Sequence, residues 1–487
     1  MPAAIRTVSA AAAAGLGLSG ASYFYYRKQA QPESKEKEIQ ELEYRDSRPF
    51  TLLDPTEIDT RLRSGQIATT VQQKYIKAIY TNRLPSNNPT EDNYSVNTLA
   101  GKLFAGVYDG HIGPDCSRLI RKQLPIYVGR ELKKEIPKTT NQVQEAITTA
   151  FVDLDQDIQQ RFYDLFPKNL SRVTEKDVQN ATRQHAHPEV AEMHIKEAIT
   201  GSCACSVYID GDNVYAANTG DSRVVVVRQE ENGTWTGRRL VEEQSPAHPA
   251  WRVHMISQHP SNEANNIVQR NRIFGLIAVG GSFGDIMYKV PREYQIKVLP
   301  FIPYEIYSTF ARYHHRIVVN YRTPPYLQSK PLVSHYKLSK GDRYIILGTD
   351  GLWDELSWDN VRSENGDQVA ANLMSAWPHK HERNPATHMI REALLYDAVY
   401  KNVGQRVPVS NETLEMSKRL TRTPSRRYRD DITVTVIELD MENETPAPKD
   451  LLDVGPVMPV EEAEVDQARL AKPPKASWLS GWIWSRL

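Results

Sequence analysis

Five short acidic motifs recur between Glu91 and Asp431, and most of them abut an apolar run. They are Glu91-Asp92, Asp109-Gly110-His111, Gly220-Asp221-Ser222, Asp350-Gly351-Leu352-Trp353-Asp354 and Asp430-Asp431. Leu103 to Tyr108 runs straight into Asp109, Tyr344 to Gly348 leads to Asp350, and Ile432 to Ile437 follows Asp431. Strand ends are therefore expected to carry the carboxylates. Carboxylates that converge repel one another unless a hard cation lies between them. Mg2+ or Mn2+, held by carboxylate, carbonyl and water oxygens, is the natural resident. A site with two such ions activates a water for hydrolysis of phosphoesters.

The bulk numbers narrow the alternatives. A chain of 487 residues holds one large domain or about two to three ordinary ones. Sixty basic residues balance sixty acidic ones, so no global field argues for nucleic acid as a partner. Three cysteines (Cys116, Cys203, Cys205) are too few for a disulfide scaffold and suit a reducing compartment. Cys203 and Cys205, two apart, share one face of an expected strand and read as small buried apolar positions rather than a metal or redox pair. There is no G-x-x-x-x-G-K-[ST] phosphate loop, which argues against a nucleotide-driven enzyme.

Both ends differ in character from the middle. Residues 1–30 contain no acidic residue, are rich in Ala and Ser, and read as a mitochondrial targeting segment. Within them Val8 to Tyr26 is a run of 19 uncharged residues, a candidate inner-membrane anchor that closes on Tyr23-Phe24-Tyr25-Tyr26. Residues 31–46 form a charged linker. A folded region over 47–440 is expected next, and 441–487 reads as a flexible tail ending in Trp478, Trp482 and Trp484. Those tryptophans suit a docking or membrane-interface element, or a segment folded back on the domain's own surface.

Within 47–440 the local signals are mixed. Asp54-Pro55-Thr56-Glu57 places an N-cap acid, a proline at the first helical position and a glutamate at the third. Helical patterns run from Ser117 to Leu132 and from Val143 to Phe162, while Lys168 to Met193 reads as an insertion or long loop. His185 and His187 within it are two apart and would not share a helix face, so zinc is disfavoured there. Cys203 to Val227 predicts a hairpin turning at Asp210-Gly211. Hairpins among helix pairs indicate an α+β architecture with antiparallel sheets. Arg419, Arg422, Arg426, Arg427 and Arg429 cluster ahead of Asp430 and could draw in an acidic or phosphorylated substrate, or form a solvated loop.

Each motif alone is weak; their order and wording are not. Ala105 to His111, Ala217 to Arg223, Ser282-Phe283-Gly284-Asp285, Gly348 to Asp354 and Arg429 to Thr433 resemble the motif series of the metal-dependent Ser/Thr protein phosphatases (PPM type, formerly type 2C). The resemblance implies a four-layer αββα sandwich of two antiparallel sheets flanked by helices. It implies that Asp109 bridges two Mg2+ or Mn2+ ions, that the Gly110 carbonyl binds one, and that Glu91, Asp350 and Asp430 complete the pair. Asp221 and Asp354, with Asp350, match positions that hold a weaker third metal. His111 matches the general acid for the leaving serine or threonine oxygen, and Asp92, Asn87 and Asp431 fall beside the ligands.

Ser86 to Asp92 and Arg322-Thr323-Pro324-Pro325-Tyr326-Leu327 resemble the pyruvate dehydrogenase phosphatase subgroup, in which the mitochondrial leader also fits. That resemblance implies phosphorylated E1α of pyruvate dehydrogenase as substrate and partner, in the matrix, at the inner membrane or in the intermembrane space. Two departures from the family pattern stand out. Gly281 occupies a position where arginine is usual, and Leu240 to Ser245 lacks the usual Asp-His. A different mitochondrial phosphoprotein as substrate, or a pseudophosphatase that only binds, are the rival readings.

Overall fold

Val224 to Val227 show how the layers arise. On a strand successive side chains point to opposite faces. Val224 and Val226 accordingly enter one buried cluster, and Val225 and Val227 another. In this computed structural model, which describes residues 48–134, 139–306, 314–357, 365–380, 382–399 and 411–444, the same alternation recurs along the central strands. The chain divides into two compact units, residues 1–50 and 51–487. Of the first only residues 48–50 are described, so the expected leader, its candidate anchor and the charged linker lie outside the described residues, as does the tryptophan-bearing end. Among the described residues no helix is long and apolar enough to cross a membrane.

The strands in chain order are β1 (Ile67–Thr69), β2 (Ile76–Leu84), β3 (Asn93–Leu99), β4 (Lys102–Tyr108), β5 (Gly110–His111), β6 (Gly201–Ser202), β7 (Ala204–Asp210) and β8 (Asn213–Thr219). They continue with β9 (Arg223–Gln229), β10 (Trp235–Arg239), β11 (Val268–Gln269), β12 (Arg272–Ile273), β13 (Phe283–Gly284), β14 (Leu332–Lys337), β15 (Asp342–Gly348) and β16 (Ile432–Leu439). A six-stranded sheet has the order β1-β2-β16-β15-β9-β10, and a five-stranded sheet the order β14-β8-β7-β4-β3. Every pairing in both is antiparallel. A small sheet, β13-β6-β5, sits beside them.

The inner faces meet. Ile79, Val224, Val226, Ile345, Leu347 and Ile437 of the larger sheet share one core with Leu103, Ala105, Val107, Val207 and Ile209 of the smaller. On the outer face of the smaller sheet, Phe104, Tyr108 and Tyr208 pack with helices Asp115–Lys133, Thr140–Tyr163 and Pro188–Ile199. Outside the larger sheet, Tyr80, Val225, Ile346 and Val434 pack with helices Pro55–Arg63, Asp350–Ser357, Gly366–Ala376 and Glu412–Thr421. The result is the expected αββα sandwich, built because period-2 strands are apolar on both faces.

Local expectations meet the structure unevenly. The expected box at Asp54 forms: Asp54 Oδ1 accepts from the amides of Thr56 (2.7 Å) and Glu57 (2.9 Å), and Glu57 Oε2 accepts from the Asp54 amide (2.8 Å). Asp54→Ala is expected to lower stability by about 1 kcal/mol in denaturant unfolding, the usual cost of losing such a cap. Lys168 to Met193, read as a loop, is instead largely helical. Thr174 caps the helix Glu175–Arg183 with Asp177 in a reciprocal box, and the helix Pro188–Ile199 buries Ala191 and Ile195. His185 and His187 close a local turn, His185 Nδ1 meeting the His187 amide and carbonyl, and His187 Nδ1 lies 3.7 Å from Glu189 Oε1. The fold also continues past residue 440, since Tyr75 donates to the Glu444 carbonyl and Lys74 pairs with Glu444 at 2.9 Å.

Candidate metal centre

Strand register brings the acids to one end of the sandwich. In the larger sheet Leu84 pairs with Ile432, and Gly348 with both Val434 and Arg223. In the smaller, Asn93 pairs with Tyr108 and Ala204 with Thr219. These strand ends adjoin Glu91-Asp92, Asp109, Asp221, Asp350 and Asp430-Asp431, so antiparallel pairing alone gathers residues far apart in sequence.

Carboxylate oxygens of Asp109, Asp221 and Asp350 lie within 4.8 Å of one another. The Asp350 amide points to Asp109 Oδ2 at 3.4 Å, whereas Asp350 Oδ1 is buried with no hydrogen-bond partner. Burial, then the neighbouring carboxylates, push Asp109 and Asp350 well above the usual range for an aspartate. Burial and the charge of Glu243 push Asp221 up to about 6, and burial with Asp431 pushes Glu91 up to about 7. Asp354 and Asp430 are raised too, burial outweighing the pull of Arg223 and Arg426 respectively. Crowded acids with an orphaned, inward oxygen are the donor set of a hard divalent cation, and the residues present fit one.

The flanking acids organise main chain. Asp431 Oδ1 accepts from the amides of Ser86 and Asn87, the latter at 2.8 Å, and Oδ2 from the amide of Glu91 at 2.8 Å. Asn87 Nδ2 donates to Glu91 Oε2 (3.0 Å) and Asp431 Oδ2 (3.2 Å). Buried Asp92 accepts the Thr349 hydroxyl at 2.8 Å, one residue before Asp350. Asp92, Asn87 and Asp431 thus hold the segments that carry Glu91 and Asp350.

His111 sits on the small sheet, where it pairs with Gly201 across β5 and β6. Its Nε2 lies 2.7 Å from Asp285 Oδ2, which also accepts the Ser282 hydroxyl at 2.6 Å. Burial lowers the imidazole, but Asp285, Glu91 and Asp221 outweigh it and hold the pKa above the usual histidine value. A Cβ at Gly201 would stand 2.0 Å from His111 Nε2 and 2.4 Å from Asp285 Oδ2, so only glycine lets the pair close. Sequence reasoning assigned a role to neither Asp285 nor Gly201. The signal for Asp285 was its place in the motif series; for Gly201 there was none beyond a Gly-Ser step.

The expected arginine cluster is divided. Arg426 contacts Asp430, Arg419 pairs with Glu355 at 3.2 Å, and buried Arg429 donates to the carbonyls of Leu84 and Pro85. Cys205 lies in the core between the sheets as expected, but Cys203 Sγ lies 3.4 Å from Asp221 Oδ1, so it borders the acids. The two departures from the family pattern interlock. Buried Gln244 accepts the Thr219 hydroxyl at 3.0 Å and donates to the Lys330 carbonyl at 2.9 Å, and a Cβ at Gly281 would lie 1.8 Å from its Oε1.

Comparison with known proteins identifies the family. The family model described as Protein phosphatase 2C matches residues 87–396. The mitochondrial pyruvate dehydrogenase (acetyl-transferring)-phosphatase 1 of Pongo abelii is 25% identical over 458 residues, covering 80% of this chain and 83% of that protein. The Saccharomyces cerevisiae protein of the same description is 26% identical over 419 residues, covering 73% and 67%. A crystal structure of serine-threonine phosphatase 2C from Toxoplasma gondii superposes with a TM-score of 0.44 at 14% identity, covering 77% of this chain and 99% of that one.

Proposed function

The chain belongs to the protein phosphatase 2C family and is a protein serine/threonine phosphatase, and we propose that it hydrolyses phosphoserine and phosphothreonine on a mitochondrial protein, phosphorylated E1α of pyruvate dehydrogenase first among them. The observation that carries the chemistry is the half-buried trio Asp109, Asp221 and Asp350, with the buried, unpartnered Oδ1 of Asp350 among them. The substrate rests on the subgroup wording of Ser86 to Asp92 and on relatives described as mitochondrial pyruvate dehydrogenase phosphatases.

Glu91, Asp109, the Gly110 carbonyl, Asp350 and Asp430 would hold two Mg2+ or Mn2+ ions, and Asp221 and Asp354, with Asp350, a third. Bound there, the ions supply an acidified water and Lewis-acid stabilisation of the phosphoryl oxygens. The protein's own part begins with Asp431, whose bonds to the amides of Ser86, Asn87 and Glu91 present Glu91 to the site. Asp285 engages Nε2 of His111, which leaves Nδ1 to give a proton to the departing serine or threonine oxygen. Without that proton the leaving group is an alkoxide, a poor one at neutral pH. Arg426, beside Asp430, brings positive charge to the rim where the phosphate enters.

Turnover of a phosphoserine peptide is expected to stop on chelation and to return with Mg2+ or Mn2+ but not with Na+. Turnover that survives exhaustive chelation would refute the metal-centred reading. For the substrate, cells lacking the protein should accumulate phosphate on E1α; unchanged phosphorylation would move the assignment to another mitochondrial phosphoprotein.

A further inference from the structure

Asp155 and Lys289 form an ion pair far inside the protein, with side chains only 4% and 2% exposed. Lys289 Nζ lies 2.9 and 2.8 Å from the two Asp155 oxygens and donates to the Ser282 carbonyl at 2.8 Å. Asp155 Oδ1 also accepts from the Gly284 amide at 2.9 Å, and Oδ2 from Gln159 Nε2 at 3.0 Å. The pair thus grips the main chain on both sides of Phe283. Immediately beyond lie two consecutive left-handed residues, Gly284 at φ +65° and Asp285 at φ +48°. For an aspartate that conformation is uncommon and costs energy, so the surrounding structure must impose it.

Stability alone does not account for such a pair. Burying two charges costs desolvation that their attraction barely offsets, and apolar residues of similar size often serve a core as well or better. What an apolar pair could not do is bond the Ser282 carbonyl and the Gly284 amide at once. We infer that Asp155 and Lys289 are positioning residues for His111. They fix the Ser282–Asp285 turn so that the Asp285 carboxylate meets His111 Nε2, although neither approaches substrate.

This inference rests on the reading of His111 as proton donor, and the test separates the two. Asp155→Leu combined with Lys289→Met removes both charges and strands neither. The variant is assayed on a phosphoserine peptide, whose alkoxide needs a proton, and on p-nitrophenyl phosphate, whose nitrophenolate leaves without one. The expected result is a kcat about 10–100-fold lower on the phosphopeptide, the usual effect of losing an outer partner, with KM and p-nitrophenyl phosphate turnover little changed. Should the double variant fail to fold, Asp155→Asn combined with Lys289→Met, which keeps an acceptor for the Gly284 amide, drops both charges and releases the Ser282 carbonyl, is put to the same comparison with the same expected result. An equal fall on both substrates, or none on either, overturns the inference. His111→Gln is measured alongside. If it shows no selective loss on the phosphopeptide, the proton-donor reading falls and takes the inference with it; if it does and the Asp155–Lys289 variant does not, the inference alone is lost.

Discussion

Asp109→Asn is expected to reduce phosphopeptide turnover by about a thousandfold or more while making the chelated protein more resistant to heat. The first effect follows from Asp109's place among the crowded acids, its carboxylate oxygens close to those of both Asp221 and Asp350. Loss of metal-centred stabilisation worth several kcal/mol corresponds to about three orders of magnitude in rate. The second effect has the opposite sign for the same reason. Burial and the charges of Asp350, Asp92, Asp430 and Asp221 disfavour the Asp109 carboxylate when no cation is bound. Removing one of the repelling charges is therefore expected to stabilise the metal-free protein by roughly 1–3 kcal/mol, a rise of a few degrees in Tm. Scanning calorimetry with chelator and with Mn2+ checks both halves. The unmutated protein should gain Tm with Mn2+ by binding linkage, and the variant should gain far less. A variant less heat-stable than the parent in chelator would contradict the account of Asp109 as a strained ligand.

That trade of stability for charge explains why the site is legible in the sequence. A carboxylate at the end of an apolar strand is a local signal, since Asp109 follows Leu103 to Tyr108 and Asp430-Asp431 precedes Ile432 to Ile437. The unbroken apolar run Val224 to Val227 likewise reads as a strand buried on both faces. Contacts that join distant segments left no such trace. Asp285 meets His111 across 174 residues, and nothing near either position predicts the other. The arginines before Asp430 looked like one basic patch because sequence carries no burial. In the fold Arg429 turns inward to Leu84 and Pro85 while Arg426 faces the acids. The 168–193 segment is misleading for another reason. Its polar residues hide a few sparse apolar positions, Leu170, Val173, Val178 and Ala191, all of them buried in the fold. Gln244 and Gly281 read as two separate departures from the family pattern, yet the glutamine side chain fills the space that glycine leaves.

Gly201→Ala is expected to lower phosphopeptide turnover by about a hundredfold, within the range attributed to general acid catalysis, without abolishing Mn2+-induced thermal stabilisation. The added methyl would sit 2.0 Å from His111 Nε2 and 2.4 Å from Asp285 Oδ2, closer than any carbon can approach. Neither neighbour yields easily. His111 is paired to Gly201 itself across β5 and β6, and Asp285 is tied to Ser282 and, through its amide, to the Thr200 carbonyl. The methyl must then separate imidazole from carboxylate, and overpacking of this kind also costs about 1–3 kcal/mol in stability. The atoms nearest the methyl belong to His111 and Asp285 rather than to the acids of the candidate metal centre, so their affinity for Mn2+ should persist, and p-nitrophenyl phosphate, which needs no proton donor, should be hydrolysed at close to the parent rate. That contrast distinguishes a displaced proton donor from a damaged site. Undiminished phosphopeptide turnover in Gly201→Ala would mean that the His111–Asp285 contact is not needed for catalysis, and His111 would then have to act, if at all, from a different orientation.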